Sequence, residues 1–166
     1  MSLLDTLTAL GDKIQRRYHY VNQGGCCIVA AAIANHLSDI VPTRIVVLDR
    51  FDYDIKDIKQ NNNNKKLSIN EYCRNRVFFN HVVVEFDYDG KQWTVDSTGV
   101  YITNQYYDVN RYGDPHYGFT VNEAYHLANQ SDWNPIFDRD QIPGIRQMIG
   151  KHLSKYKSTV DLPVAA

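Results

Sequence analysis

A glycine pair running into two cysteines and then an almost unbroken apolar segment, Gly24-Gly25-Cys26-Cys27-Ile28-Val29-Ala30-Ala31-Ala32-Ile33-Ala34, constrains this chain more than any other stretch. A helix that is apolar all round belongs in the middle of a core, and its many alanines let neighbouring elements approach closely. The segment therefore predicts a central helix from about Cys26 to Leu37, preceded by a turn through Asn22-Gln23-Gly24-Gly25. It also sets a thiol at a helix N-terminus, where unpaired N–H groups and the positive end of the dipole favour thiolate over thiol. The plain alternative is a pair of small core residues, because free cysteine packs well in interiors. Helical offsets from Cys26 reach Val29, Ala30, Ile33, Ala34 and Leu37, all apolar, whereas those from Cys27 reach Ala31, Ala34, Asn35 and Ser38, a mixed face.

Around this helix the chain reads as helices, then antiparallel strands, then helices, the order of an α+β fold. Leu3, Leu7, Leu10 and Ile14 recur at helical spacing behind a Ser2/Asp5 cap, predicting an amphipathic helix over residues 3–19. Thr43 to Leu48 reads as a strand. The polar residues 49–76, with Asn61-Asn62-Asn63-Asn64-Lys65-Lys66 among them, read as an exposed loop with room for a short helix near Ser68 to Arg74. Phe78 to Tyr88 and Lys91 to Asp96 are joined by Asp89-Gly90, a two-residue hairpin signal.

Five tyrosines between Tyr101 and Tyr117 follow no fixed period, so residues 101–119 are expected to be ordered loop, lining a groove or covering the sheet edge. Thr120 and Glu123 make a capping box for a helix to about Asn129. Ile142, Ile145, Ile149, Leu153 and Tyr156 give a last amphipathic helix with Pro143 in its first turn. Lys151, Lys155 and Lys157 are expected to complement the end of its dipole. At 166 residues, with neither an internal repeat nor a long linker, the chain is expected to form a single domain, 1–166.

Charge and composition narrow the function classes. A formal net charge of -1 supplies no bulk attraction for nucleic acid or for an anionic membrane, so neither is an expected partner. No apolar stretch nears the ~20 residues that span a bilayer, and Met1-Ser2-Leu3-Leu4-Asp5-Thr6 lacks the basic start of a secretion signal. Cysteines number 3, an odd count with two adjacent in sequence, which suits a reducing compartment rather than a disulfide framework. A cytoplasmic protein is the expectation. The Cys/His spacings make no zinc site, and neither a phosphate-binding glycine loop nor a calcium loop is evident, so no cofactor or metal is expected.

Among the histidines, His81 stands apart, because it opens a strand that continues Val82-Val83-Val84. Period two puts His81, Val83 and Glu85 on one face and Val82, Val84 and Phe86 on the other. A histidine buried on a strand needs a partner for its second ring nitrogen. If Asp89-Gly90 closes a two-residue turn, Tyr88 opposes Lys91, which sets His81 opposite Thr98 and diagonal to Asp96. That diagonal, ~7–8 Å between Cα atoms, suits a histidine–carboxylate hydrogen bond. Asp96-Ser97-Thr98-Gly99 also reads as a strand-ending Asx turn.

Taken together, these segments resemble the transglutaminase-like branch of the papain-like cysteine enzymes. Gly24-Gly25-Cys26-Cys27-Ile28-Val29-Ala30 is similar to the family's G-x-C-W-x-x-A, His81-Val82-Val83-Val84-Glu85 to H-x-W-x-E, and Trp93-Thr94-Val95-Asp96-Ser97-Thr98 to W-x-x-D-x-T. Order and spacing agree across a motif-bearing core of about residues 20–100. Two positions depart: Cys27 stands where the family has tryptophan, and Val83 where it has an aromatic residue. Both reshape a cleft wall and neither removes a reactive group.

The resemblance implies a papain-like core in which a central helix packs on an antiparallel sheet. It implies Cys26 as nucleophile, His81 as base and then acid, and Asp96 as the carboxylate that orients the imidazole. The thiol pKa in papain-type sites is ~3–4. The Cys26 backbone N–H would be one oxyanion donor, with Gln23 or Asn22 as candidates for the second and Cys27 as a further oxyanion or substrate contact. The implied activity is hydrolysis of a protein or peptide amide, by a peptidase or deamidase, through a thioester acyl-enzyme. Transfer of the acyl group to an amine is the alternative, and a non-catalytic interaction module on the same fold is the rival class. The sequence assigns no oligomeric state.

Overall fold

Ser2 starts the first helix through a reciprocal cap: its hydroxyl accepts from the Asp5 N–H while the Asp5 carboxylate accepts from the Ser2 N–H. That helix, α1 (Leu3–Arg17), buries Leu3, Leu7, Leu10 and Ile14, the four residues picked out by their spacing. In this computed structural model, which describes residues 1–21, 24–49, 79–110, 115–128 and 137–160, α2 (Cys26–Leu37) follows and is buried along almost its whole length. The first strand, β1, spans Thr43–Asp49. The rest of the loop expected over 49–76, with its short helix near Ser68 to Arg74, lies outside the described residues.

The later elements are β2 (Phe79–Tyr88), β3 (Lys91–Asp96), β4 (Gly99–Ile102), α3 (Thr103–Asn110), β5 (Pro115–Phe119) and α4 (Val121–Ala128). A 3-10 turn at Arg139–Gln141 then leads into α5 (Ile142–Val160). Among the described residues the strands make one antiparallel sheet of order β4-β3-β2-β1-β5. With helices before and after it, the architecture is α+β. No helix among the described residues is long and apolar enough to cross a membrane.

The β2–β3 hairpin closes as its turn residues demand. Asp89 and Gly90 both adopt positive φ, 51° and 69°, the conformation of a two-residue turn whose twist matches its strands. Tyr88 therefore pairs with Lys91, and the register continues to Val84 opposite Val95. Along β2 the faces alternate as read from the sequence. Val82, Val84 and Phe86 join α1, α2 and α5 residues in the larger core, while Val83 packs with Val46, Leu48 and Tyr106 in a smaller one.

Two expectations are corrected. The described residues of 101–119 are not a loop: Tyr101 and Ile102 end β4, Thr103–Asn110 is helical, and Pro115–Phe119 is an edge strand paired with β1. An eight-residue helix is too short to stand on propensity, and this one is held by Tyr106 and Tyr107 against the smaller core. The tyrosines of α3 thus cover a sheet face. The second correction concerns α5, which continues to Val160, so that only Lys157 sits in its last turn, 3.3 Å from an Asp39 oxygen. Lys151 and Lys155 lie further back and do not serve the helix end. The Thr120/Glu123 box at the start of α4 forms as expected.

Candidate active site

Gly25 fixes where α2 begins. A Cβ at this position would lie 2.7 Å from the Val21 carbonyl oxygen and 2.8 Å from Phe137 Cε2, so no larger residue fits the turn unless they shift. As N-cap, Gly25 makes no side-chain hydrogen bond to the first N–H groups, and those donors stay directed at whatever stands before Cys26 and Cys27.

Cys26, the first residue of α2, lies against the start of β2, close enough for the His81 ring and the Val82 N–H to stabilise a negative sulfur. His81 Nε2 is 3.0 Å from Asp96 Oδ2. That bond occupies Nε2, so any proton exchange between the ring and the sulfur falls to Nδ1. Asp96 is the last residue of β3 and reaches His81 across the hairpin diagonal. The His81–Asp96 hydrogen bond therefore stands beside the Cys26 sulfur, whose charge it bears on. The three residues are 3%, 5% and 4% exposed, so little water competes for their bonds.

The carboxylate is held from both sides. Oδ2 also accepts from the Tyr106 hydroxyl at 2.8 Å. Oδ1 accepts from the Thr98 N–H at 2.7 Å and from the Thr98 hydroxyl at 2.6 Å. The Asx turn and the histidine partner, alternatives in the sequence, are both true of one side chain, one oxygen each.

Charge follows from these contacts. Burial by itself lowers the His81 pKa, but its hydrogen bonds to Asp96 and Cys26, with their negative charge, overrule burial and push it up to about 10. Burial raises the Asp96 carboxyl, yet His81 and Thr98 hold it below its ordinary value. The Cys26 thiol is held well below its ordinary value by a hydrogen bond from the Cys27 thiol, against burial, and then by His81 and the Val82 N–H. A thiolate–imidazolium pair at neutral pH is the state this arrangement favours.

Of the other sequence candidates, Asn22 and Gln23 lie outside the described residues. Cys27 is wholly buried, beside Cys26 at the start of α2. Tyr106 is a residue that pattern reading did not single out. It belongs to no motif, and only the β4–α3 turn brings it back over Asp96. Glu85, in register with the glutamate of the resembled motif, sits four residues along β2 from His81 in a different cluster. It pairs with Arg44 Nε at 2.8 Å and accepts from the Tyr107 and Tyr117 hydroxyls, tying α3 and β5 to the sheet. Among the described residues no group of three or more His, Cys, Asp and Glu is placed to hold a metal ion. Comparison with protein families, with curated proteins and with solved structures finds no match to this chain.

Proposed function

We propose that this protein is a cysteine-nucleophile amide hydrolase built on a papain-like, transglutaminase-like core. One observation carries the reading: a buried His81–Asp96 hydrogen bond set beside the Cys26 sulfur at the first turn of a buried helix. The helix end and the imidazolium both stabilise negative sulfur.

The chemistry runs in two halves. The Cys26 thiolate adds to an amide carbon, forming the C–S bond as the carbonyl π pair moves onto oxygen. The Cys26 backbone N–H meets that oxyanion. Collapse restores the C=O and breaks the C–N bond, while the His81 imidazolium gives its proton to the departing amine. Water then attacks the thioester as neutral His81 takes its proton. The C–S bond breaks, the acid leaves, and thiolate and imidazolium are restored. Asp96 keeps the ring oriented throughout. Burial of all three groups supports a second reading, acyl transfer, because a site that excludes water slows hydrolysis relative to attack by a bound amine.

Mass spectrometry of the protein with glutamine- and asparagine-containing peptides tests the assignment. Conversion of the side-chain amide to an acid with release of ammonia marks deamidation, peptide cleavage marks a peptidase, and release of ammonia with incorporation of an added primary amine marks transfer. Cys26→Ala is expected to abolish the acyl-enzyme adduct. Cys27→Ala is expected to retain it, with the acidic limb of the rate displaced to higher pH because the hydrogen bond to Cys26 is gone. Equal turnover in the two variants would leave the mechanism without a nucleophile and sink the proposal.

A further inference from the structure

Away from the triad, α1 and α5 enclose a cleft of about 270 Å³ whose charged lining is wholly cationic: Lys13 and Arg17 from α1, Lys151 and Lys155 from α5. Each pair is spaced four residues apart on its own helix, an arrangement in which like charges lower helix stability. The cleft gathers them along one surface, and among the described residues no aspartate or glutamate lines it. This concentration of charge occurs in a chain of net charge -1, so it is a local feature and not the expression of a basic protein.

His152, at the floor, reports the local field. Its Nε2 lies 3.0 Å from the Thr6 carbonyl oxygen, to which it donates, which leaves Nδ1 to accept from Lys13 Nζ at 3.3 Å. The Lys13 ammonium is thereby held by a neutral acceptor that leaves its charge uncancelled. The imidazole is kept below its ordinary pKa by burial and then by the charges of Lys13 and Lys155. Cationic charged groups along the lining and a lysine hydrogen-bonded to a neutral histidine describe a positive cleft.

We propose that the α1–α5 cleft binds a compact polyanion carrying two or more linked phosphate groups. Its volume of about 270 Å³ falls just below the ~300–1,000 Å³ of ordinary ligand clefts, which suits a compact ligand, and Lys13, Arg17 and Lys151 set positive charge along it for a di- or triphosphate. An extended nucleic acid backbone needs a longer basic track and gains nothing from the overall charge. Proximity to the triad forms no part of the argument, so this site stands whether or not the amide hydrolase reading does.

Calorimetric titration of the full chain with inorganic tripolyphosphate is the test. Saturable binding at one site is expected, weakening at least about tenfold between about 50 and 200 mM salt as screening grows. The double variant Lys13→Gln/Lys151→Gln is expected to lose at least about tenfold in affinity, while Lys91→Gln on the exposed hairpin changes it less than about twofold. Phosphatidylcholine vesicles carrying phosphatidylinositol bisphosphate identify the source: competition with tripolyphosphate assigns a lipid headgroup, and an unchanged titration assigns a free polyphosphate. Absence of saturable binding at either salt overturns the proposal, as does equal loss in the hairpin and cleft variants. Binding to the vesicles with none to tripolyphosphate also overturns it, in favour of a membrane-facing surface.

Discussion

His81 stands between two partners that both favour its charged form, and the pH behaviour of the pair follows from that. With Cys26 titrating well below its ordinary value and His81 at about 10, the ion pair persists between those limits. It is lost on the acid side as the sulfur takes a proton, and on the alkaline side as the imidazolium gives one up. His81→Ala removes a hydrogen bond and a charge from the sulfur, so the ultraviolet titration of the thiolate is expected to move upward, toward the ~8.5 of a free thiol. An unmoved midpoint refutes the pair. Tyr106→Phe strips a donor from a buried carboxylate, which costs about 1.5–3 kcal/mol where the partner is charged. A double-mutant cycle with Asp96→Asn in urea is expected to return a coupling energy of at least about 0.5 kcal/mol, and strict additivity would deny that the two side chains act together.

At the scale of elements, α1 meets β4 backbone to backbone. A Cβ on Gly11 would lie 2.8 Å from the Gly99 nitrogen and 2.9 Å from its Cα, and neither atom has a flexible end that can yield. Gly11→Ala is therefore expected to destabilise by about 1–3 kcal/mol through overpacking, although alanine is the better helix former by about 1 kcal/mol. A lower urea midpoint at unchanged slope is the signature, and a raised midpoint would contradict the contact. The elements that were legible in the sequence carry their instructions locally: the Ser2/Asp5 box, the apolar run of α2, and Asp89-Gly90, which set the register that brings Asp96 beside His81. The stretch 101–119 was illegible because α3 and β5 take their form from partners elsewhere in the chain. Tyr106 and Tyr107 answer to β2 and β3, and β5 answers to β1. The hydrogen bond from Tyr106 to Asp96 has no local signature at all.

For the whole molecule, the sheet separates two cores of unequal size, and the proposed site draws on both: Cys26 belongs to the larger, and Tyr106, which holds Asp96, to the smaller. Leu48 pairs with His81 across the β1–β2 ladder and packs with Val83 and Tyr106; Leu7 belongs to the larger core. Alanine at either position is expected to cost about 2–5 kcal/mol. Only Leu48→Ala is expected to change the thiolate titration in protein that is still fully folded, measured well below the unfolding midpoint. An equal shift from Leu7→Ala would mean that the smaller core has no special hold on the site.

Two of the groups that charge the Cys26 sulfur, His81 and the Val82 N–H, come from a distant part of the chain. Before the sheet is complete, that atom is an ordinary thiol, mostly protonated at neutral pH with a pKa of ~8.5. A nascent or unravelled copy is chemically quiet, and the molecule arms itself only on reaching its native form.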